Sequence, residues 1–178
     1  YTDGTSVDNG SVGVDVVTSF LQGASGDQVE ISLAAIEAMS GVIDLVDSGN
    51  AANSTAAGDT MVVTSYGTGI ADLSDTATTT IIPIILGVAN LAESALEDLF
   101  ESTGANELEA SGALAVGDAF LIIADNSTDS ALYLAVVGTA IADNGKPTAD
   151  DINLVKLLTF SGTSAAESFH ADNFEIIA

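Results

Sequence analysis

The runs Ala119-Phe-Leu-Ile-Ile-Ala124 and Ala131-Leu-Tyr-Leu-Ala-Val-Val137 decide the fold of this chain. Between them lies Asp125-Asn-Ser-Thr-Asp-Ser130, whose Asp, Asn and Ser residues favour turns. Two apolar runs that flank such a segment predict a β-hairpin, with a loop longer than the two-residue type. The β-branched and apolar residues of 152–160 predict a third strand beside the hairpin.

The apolar periodicity changes several times upstream of this hairpin. Residues 14–20 and 29–33 predict two short strands, because apolar and polar residues alternate in the second of them. Residues 60–66 form a β-branched run that is typical of a buried strand. Apolar residues at helical spacing predict amphipathic helices near 34–47 and 88–101. The expected fold class is therefore α+β, predominantly antiparallel β with about two helices.

The domain organisation follows from the same patterns. Residues 174–177 predict a short terminal strand, which would complete a C-terminal β meander over 114–178. Residues 1–178 are expected to form a single domain. Residues 1–13 are rich in Gly, Asp and Ser and are expected to be the end of an upstream Gly/Asp-rich segment.

The charge balance excludes two classes of partner. Two Lys residues stand against 26 acidic residues, which gives a formal net charge of −24. Nucleic acids and anionic membranes require a basic surface, so neither is an expected partner. The longest apolar run, residues 81–89, is far shorter than the roughly 20 residues that span a bilayer, so membrane insertion is not expected. A mean hydropathy of +0.43 still predicts a folded core.

Patterns that would indicate catalysis are incomplete. Val46-Asp47-Ser48-Gly49 has the shape of an aspartic-protease loop, but a single copy cannot supply the two carboxylates of that site. Gly49 is better interpreted as the end of a helix. His170 is the one imidazole, and no Gly-x-Ser-x-Gly pattern accompanies it. The chain is therefore predicted not to be an enzyme.

Two loops gather oxygen atoms of the kind that calcium prefers. Ca²⁺ binds about six to eight oxygens, mostly from carboxylates, carbonyls and amides. Solvated acidic turns are the alternative, because the chain is acidic throughout. The candidate ligands are Asp143, Asn144, Asp150 and Asp151 in one loop, and Asp125 and Asp129 in the other.

Several stretches carry a resemblance to a known family. They are Gly13-Val-Asp-Val-Val-Thr-Ser-Phe20, Gly26-Asp-Gln-Val-Glu-Ile-Ser-Leu33, residues 117–134, 143–145 and 152–160, and Ala171-Asp-Asn-Phe174. They resemble the region that follows or ends the calcium-binding β-roll in repeats-in-toxin proteins of surface-layer and adhesin type. Those proteins are exported by bacterial type I secretion.

The resemblance implies export and an extracellular location, with the type I secretion machinery as a partner. The tail residues Phe174, Glu175, Ile176 and Ile177 resemble the uncleaved export signals of this family. The calcium-binding repeat Gly-Gly-x-Gly-x-Asp is absent, so the family's ligand set is not carried over. Lys146-Pro147 also stands where relatives often have Asp-Gly in the loop before the third strand.

Two further patterns, Asn53-Ser-Thr55 and Asn126-Ser-Thr128, match the acceptor sequence for N-glycosylation. In a bacterial chain this pattern is expected to be accidental.

The expected function is that of a non-catalytic structural domain, which mediates export and then self-assembly into a surface layer or filament. Its partners would be copies of itself or neighbouring domains of the parent protein. Few Lys and Pro residues are available to protect strand edges, so net negative charge is expected to protect them instead. The alternatives are a calcium- or glycan-binding module and the accessory C-terminal domain of a secreted hydrolase.

Overall fold

The fold is a mixed α/β arrangement made mostly of strands, as a computed structural model of the chain shows. The structure describes residues 15–47, 50–58, 60–66, 71–73, 79–100, 107–110, 112–143, 145–148, 151–162 and 166–178. Its strands are β1 (Asp15–Thr18), β2 (Val29–Ser32), β3 (Asp44–Asp47), β4 (Asn50–Ser54), β5 (Thr60–Tyr66), β6 (Ala71–Leu73), β7 (Thr79–Ile85), β8 (Leu108–Ala110), β9 (Asp118–Asp125), β10 (Ser130–Val137), β11 (Ile152–Ser161) and β12 (Phe174–Ile177). Its α-helices are α1 (Leu33–Glu37) and α2 (Glu93–Phe100).

The predicted hairpin forms the centre of the main sheet. β9 pairs antiparallel with β10, and β10 pairs antiparallel with β11, so Leu134 has Leu121 on one side and Val155 on the other. Every residue of β9 and β10 is buried, because packed side chains cover both faces of the sheet. Continuous apolar runs are typical of strands covered on both faces. The expected α+β class and its antiparallel centre are confirmed.

Parallel strands extend this centre on both sides. β1 joins the outer edge of β11, with Asp15 beside Leu158. On the other side, β3 pairs with the start of β9 and β7 pairs with its end. β5 lies beside β7, and β4 lies beside β3. The short strands β6 and β8 form a separate parallel pair.

Two hydrophobic clusters cover the two faces of the sheet. One lies beneath α2 and contains Leu96, Phe100 and Tyr133. The Tyr133 hydroxyl donates a hydrogen bond to the Leu91 carbonyl oxygen at 2.7 Å, which satisfies it inside the core. The other cluster contains four phenylalanines whose neighbouring ring centroids lie 4.8–5.7 Å apart, namely Phe20, Phe160, Phe169 and Phe174.

The first predicted helix is much shorter than residues 34–47. It ends at Glu37, Gly41 turns the chain with a φ of 85°, and residues 44–47 form β3 instead. Leu45 and Val46 are adjacent and fully buried, and they pack in different clusters on opposite faces of the sheet. A strand can bury two adjacent residues in this way, whereas one face of an amphipathic helix cannot. The helical spacing in this region is therefore a coincidence.

The second predicted helix is confirmed with shorter bounds than 88–101. It begins at Glu93, while Val88 and Leu91 are buried in the irregular segment that precedes it. The Asn90 side chain accepts a hydrogen bond from the Ala92 backbone N–H at 2.8 Å, which bends the chain before the helix. The predicted stop at Gly104 lies outside the described residues.

The terminal strand does not continue the predicted meander. β12 pairs in parallel with β2, with Phe174 beside Val29. β7 was missed from the sequence because Pro83 interrupts its apolar run. Pro83 pairs only with β5, and β9 joins β7 one residue later, at Ile84.

Among the described residues, no helix is long and apolar enough to cross a membrane.

Candidate functional site: the sheet edges and their loops

β1 forms an open edge of the main sheet. It pairs with β11 on one side, and no described strand pairs with its other side. Val16 is 60% exposed on this edge, and Leu21, just after the strand, is 62% exposed. Between them, Ser19 adopts a left-handed φ of 63° and turns the chain away from the sheet. An edge of this kind offers free backbone groups beside apolar side chains.

The remaining outer edge of β11 is closed by carboxylates of α2. Glu97 Oε1 accepts a hydrogen bond from the Leu154 backbone N–H at 2.8 Å, and Glu93 Oε1 accepts one from the Lys156 N–H at 3.4 Å. These side chains supply the acceptors that a neighbouring strand would otherwise supply. The expectation that only net charge protects the strand edges is therefore wrong for β11. Sequence reasoning missed this contact, although Glu93 and Glu97 share one face of α2.

Lys156 links this closed edge to the core beneath α2. Its ammonium group lies 5.6 Å from the centroid of the Tyr133 ring, within range of a cation–π contact. Burial raises the pKa of Tyr133, and the negative charge of Glu93 raises it further. The hydroxyl therefore stays protonated and remains a donor to Leu91.

The hairpin loop uses its predicted calcium ligands as hydrogen-bond acceptors. Asp125 is buried, and its Oδ1 accepts from the Ser127 N–H at 2.7 Å. Its Oδ2 accepts from the Ser130 hydroxyl at 3.2 Å and from the Ala166 N–H at 3.4 Å. Asp129 Oδ1 accepts from the Gly162 N–H at 2.8 Å. These bonds fasten the loop to the end of β11 and to the turn at Ala166–Ser168.

The second predicted calcium loop is described only in part. Asp151 Oδ2 accepts from the Thr148 N–H at 2.6 Å and from its hydroxyl at 2.7 Å, and these bonds hold the pKa of Asp151 below its usual value. Asp143 is exposed, while Asn144 and Asp150 lie outside the described residues. In the described part of the chain, no three acidic or imidazole side chains are grouped as metal ligands. Calcium binding in either loop stays a prediction.

Lys146, which departs from the resembled family, forms an ion pair. Its Nζ lies 2.6 Å from Glu107 Oε2, and this hydrogen bond raises the pKa of Lys146. The pair connects the loop before β11 to the segment before β8. The neighbouring Pro147 is buried. This loop therefore has a structural contact at the position where the resemblance would place an acidic residue.

A pair of carboxylates at the start of β9 was not foreseen. Asp118 and Asp44 are directly paired across β9 and β3. Burial raises the pKa of Asp118, and the charge of Asp44 adds to this, while a 2.7 Å hydrogen bond from the Ala115 N–H opposes it. Only the pairing of β3 with β9 brings the two together, because they are far apart in sequence.

The predicted export tail is folded into the core. Phe174 and Ile176 are buried, Glu175 is exposed and Ile177 is partly exposed, as expected for a strand with one buried face. Asn173, just before the tail, is fully buried. Its Oδ1 accepts from the N–H groups of Gly23 and His170, and its Nδ2 donates to the carbonyl oxygens of Gly23 and Asp27. This side chain thus ties the tail to the loop before β2.

The residues considered for catalysis have local structural roles. His170 Nδ1 accepts a hydrogen bond from the Asp172 backbone N–H at 3.2 Å. The same nitrogen lies 3.4 Å from Oδ2 of the Asp172 side chain. This arrangement caps the short turn at Ala171–Asn173. Asp47 ends β3, and Ser48 and Gly49 lie outside the described residues.

No protein-family model matches this chain, and no significant match was found among curated proteins or solved structures. The resemblance to exported repeats-in-toxin proteins therefore stays a prediction.

Proposed function

We propose that the chain is a non-catalytic structural domain of an exported surface protein, which assembles by pairing β1 with β1 of a second copy. The open outer edge of β1 carries this proposal. On its outer side the backbone of β1 pairs with no described strand, Val16 is 60% exposed, and Leu21, three residues after the strand, is 62% exposed. Pairing of two such edges would continue the sheet from one copy into the next.

The sequence of β1 allows this strand to pair with its own copy. A two-fold axis through Val16 places Val16 opposite the Val16 of the second copy, in an antiparallel pair. Asp15 then lies opposite Val17 rather than opposite another carboxylate. Cross-strand pairs of apolar side chains stabilise a sheet, and directly opposed like charges destabilise it. The register that joins the two valines therefore also avoids a local repulsion.

Net charge opposes this association and makes it dependent on cations. Each copy carries a formal charge of −24, which keeps copies apart at low ionic strength. Salt at about 0.1 M reduces the range of this repulsion to about 10 Å. We therefore expect association in salt and little association without it.

Association is tested with one substitution on the edge and one elsewhere. Val16→Asp places a carboxylate against its own copy across the proposed axis. Ile43→Asp adds the same charge at another exposed apolar residue, which is 74% exposed and lies just before β3. In sedimentation velocity experiments with sodium or calcium chloride at matched ionic strength, we expect Val16→Asp to reduce the associated fraction at least tenfold. Ile43→Asp should behave like the wild type.

Two outcomes contradict this assignment. If the wild-type chain stays monomeric at high concentration in every salt, the proposed association through β1 is wrong. An associated fraction that falls in Ile43→Asp but not in Val16→Asp moves the interface away from β1.

The export part of the proposal is supported by the resemblance of residues 174–177 to C-terminal export signals. Deleting the tail would also remove Phe174 and Ile176 from the core, so substitutions at Glu175 and Ile177 are preferable. We expect Glu175→Lys combined with Ile177→Ser to lower secretion from a host with a type I system. Glu167→Lys, at an exposed residue outside the tail, is the control. Unchanged secretion of the double variant would falsify the signal role.

A further inference from the structure

The tip of the β9–β10 hairpin carries a pattern that the proposed assembly does not use. Asn126, Ser127 and Thr128 match the acceptor sequence Asn-x-Ser/Thr, in which a sugar is attached to the side-chain nitrogen of Asn. The same pattern occurs at residues 53–55 and at residues 9–11, the latter outside the described residues. The two described copies lie in different surroundings, so the fold distinguishes an accidental pattern from one that an enzyme could use.

In the folded chain, the copy at residues 53–55 is not accessible to an enzyme. Asn53 lies within β4, and Thr55, whose hydroxyl completes the pattern, is only 3% exposed. The Thr55 backbone N–H donates to the Leu45 carbonyl oxygen at 2.7 Å. An enzyme could reach this hydroxyl only after β4 and the following residue had separated from the sheet.

The copy at residues 126–128 lies at the tip of the β9–β10 hairpin. Ser127 and Thr128 are exposed and Asn126 is partly exposed. Asn126 Oδ1 accepts hydrogen bonds from the Thr128 N–H at 3.0 Å and from the Asp129 N–H at 2.9 Å. These bonds fix the plane of the amide, so Nδ2 points away from the donors that hold Oδ1.

The loop keeps this conformation without help from a partner. The Asn126 N–H donates to the Asp129 carbonyl oxygen at 3.1 Å, and Asp125 and Asp129 fasten the loop from both sides. Ser127 adopts a left-handed φ of 69°, which closes the turn. A preformed acceptor loses less conformational entropy on binding than a flexible one.

We propose that Asn126 Nδ2 is an N-glycosylation site of the folded chain. The donor is a sugar joined through its anomeric carbon to a diphosphate, carried by a nucleoside or by a polyprenyl lipid. A bond forms between Nδ2 and the anomeric carbon, and the bond from that carbon to the diphosphate oxygen breaks. The electron pair leaves with the diphosphate, and one Nδ2 proton passes to a base of the transferase. No group is oxidised or reduced, and the step does not depend on pairing of β1.

The test is enzymatic transfer to the purified, folded chain. One arm contains a transferase that uses UDP-glucose, and the other contains a transferase that uses a lipid-linked oligosaccharide. The site is located by mass spectrometry of peptides. We expect sugar on the Asn126 peptide in at least one arm, and the arm that succeeds identifies the carrier. Sugar at Asn53 should be at least tenfold less abundant.

Three variants separate acceptor chemistry from folding. Asn126→Gln should abolish the modification. Thr128→Ala should abolish it too, although it keeps the backbone N–H that holds Asn126 Oδ1, and Thr128→Ser should restore it. Absence of sugar at Asn126 in both arms overturns the proposal. Equal modification of Asn53 and Asn126, or full modification of Thr128→Ala, overturns it as well.

Discussion

Buried polar side chains act as links between distant segments of this protein. Asn173 is fully buried and makes four hydrogen bonds, two of them to Gly23, which is 150 positions away in sequence. Asp125 has the same role in the hairpin loop, where it reaches Ala166. Removing one partner of a buried hydrogen bond costs about 1–3 kcal/mol, so both side chains contribute to the stability of the fold.

Asp118 provides a pH test of the carboxylate pair. Burial and the charge of Asp44 raise its pKa above the usual value of 3.8. The folded chain therefore binds this proton more tightly than the unfolded chain, and the resulting stabilisation is complete below that usual value. It is lost as the pH rises through the raised pKa. Asn does not titrate, so the stability of Asp118→Asn should not fall over this pH range. Its free energy of unfolding relative to the wild type should therefore increase as the pH rises.

Urea denaturation of both proteins at a series of pH values measures this difference. The Asn side chain retains an oxygen that can accept from Ala115, so the turn before β9 is preserved. A difference that does not change with pH would show that the pKa of Asp118 is the same in the folded and unfolded chains.

At the scale of elements, α2 closes an edge that β1 does not reach. β1 covers Leu158 to Ser161, and the glutamates of α2 cover the N–H groups of Leu154 and Lys156. The main sheet therefore has one protected and one open segment along the same strand. This division is why the assembly proposal concerns β1 and not β11.

Glu97 is the more sensitive of the two edge acceptors because its hydrogen bond is shorter. We expect Glu97→Ala to lower the free energy of unfolding by about 1 kcal/mol, since the Leu154 N–H loses its acceptor. Glu97→Gln should retain most of the stability, because its side-chain oxygen can replace the carboxylate. Urea denaturation measures the stability, and hydrogen exchange at the Leu154 amide reports the bond itself.

Asp98→Ala is the matched control for this prediction. Asp98 lies on the same helix and is exposed, so its substitution removes a charge without removing an acceptor for β11. Equal stability losses and equal exchange rates in Glu97→Ala and Asp98→Ala would mean that α2 does not protect the edge.

At the scale of the whole molecule, the charge of −24 acts on stability as well as on association. Two lysines cannot neutralise this charge, so the carboxylates of one folded chain repel one another. Dissolved salt screens this repulsion. We expect the melting temperature to rise from low salt with chelator to calcium chloride or to sodium chloride at matched ionic strength. A further rise with calcium over sodium would indicate binding in the predicted loops.

Thermal melts in these three solutions separate the two effects. Equal melting temperatures in all three would contradict the electrostatic effect. Equal values in calcium and sodium, both above the low-salt value, would contradict specific calcium sites alone.

Patterns that depend on neighbouring residues were predicted well from the sequence. The hairpin of β9 and β10, the strands β5 and β11 and the existence of α2 all follow from apolar periodicity and turn residues. The open outer edge of β1 could not be predicted from such local patterns. Whether β1 is open depends on which strand pairs with it, and this choice is made by residues more than a hundred positions away.

The sequence by itself determined the hairpin of β9 and β10, the strand β11 and the acidic character of the chain, because these depend on residue type and short-range spacing. Only the tertiary structure decided that residues 44–47 form a strand and that β12 pairs with β2. It also placed Glu97 against Leu154 and Thr55 out of reach. Each of these outcomes depends on burial and pairing between distant segments. Such contacts override local propensity because packing of the core contributes more free energy than the preference of any one segment.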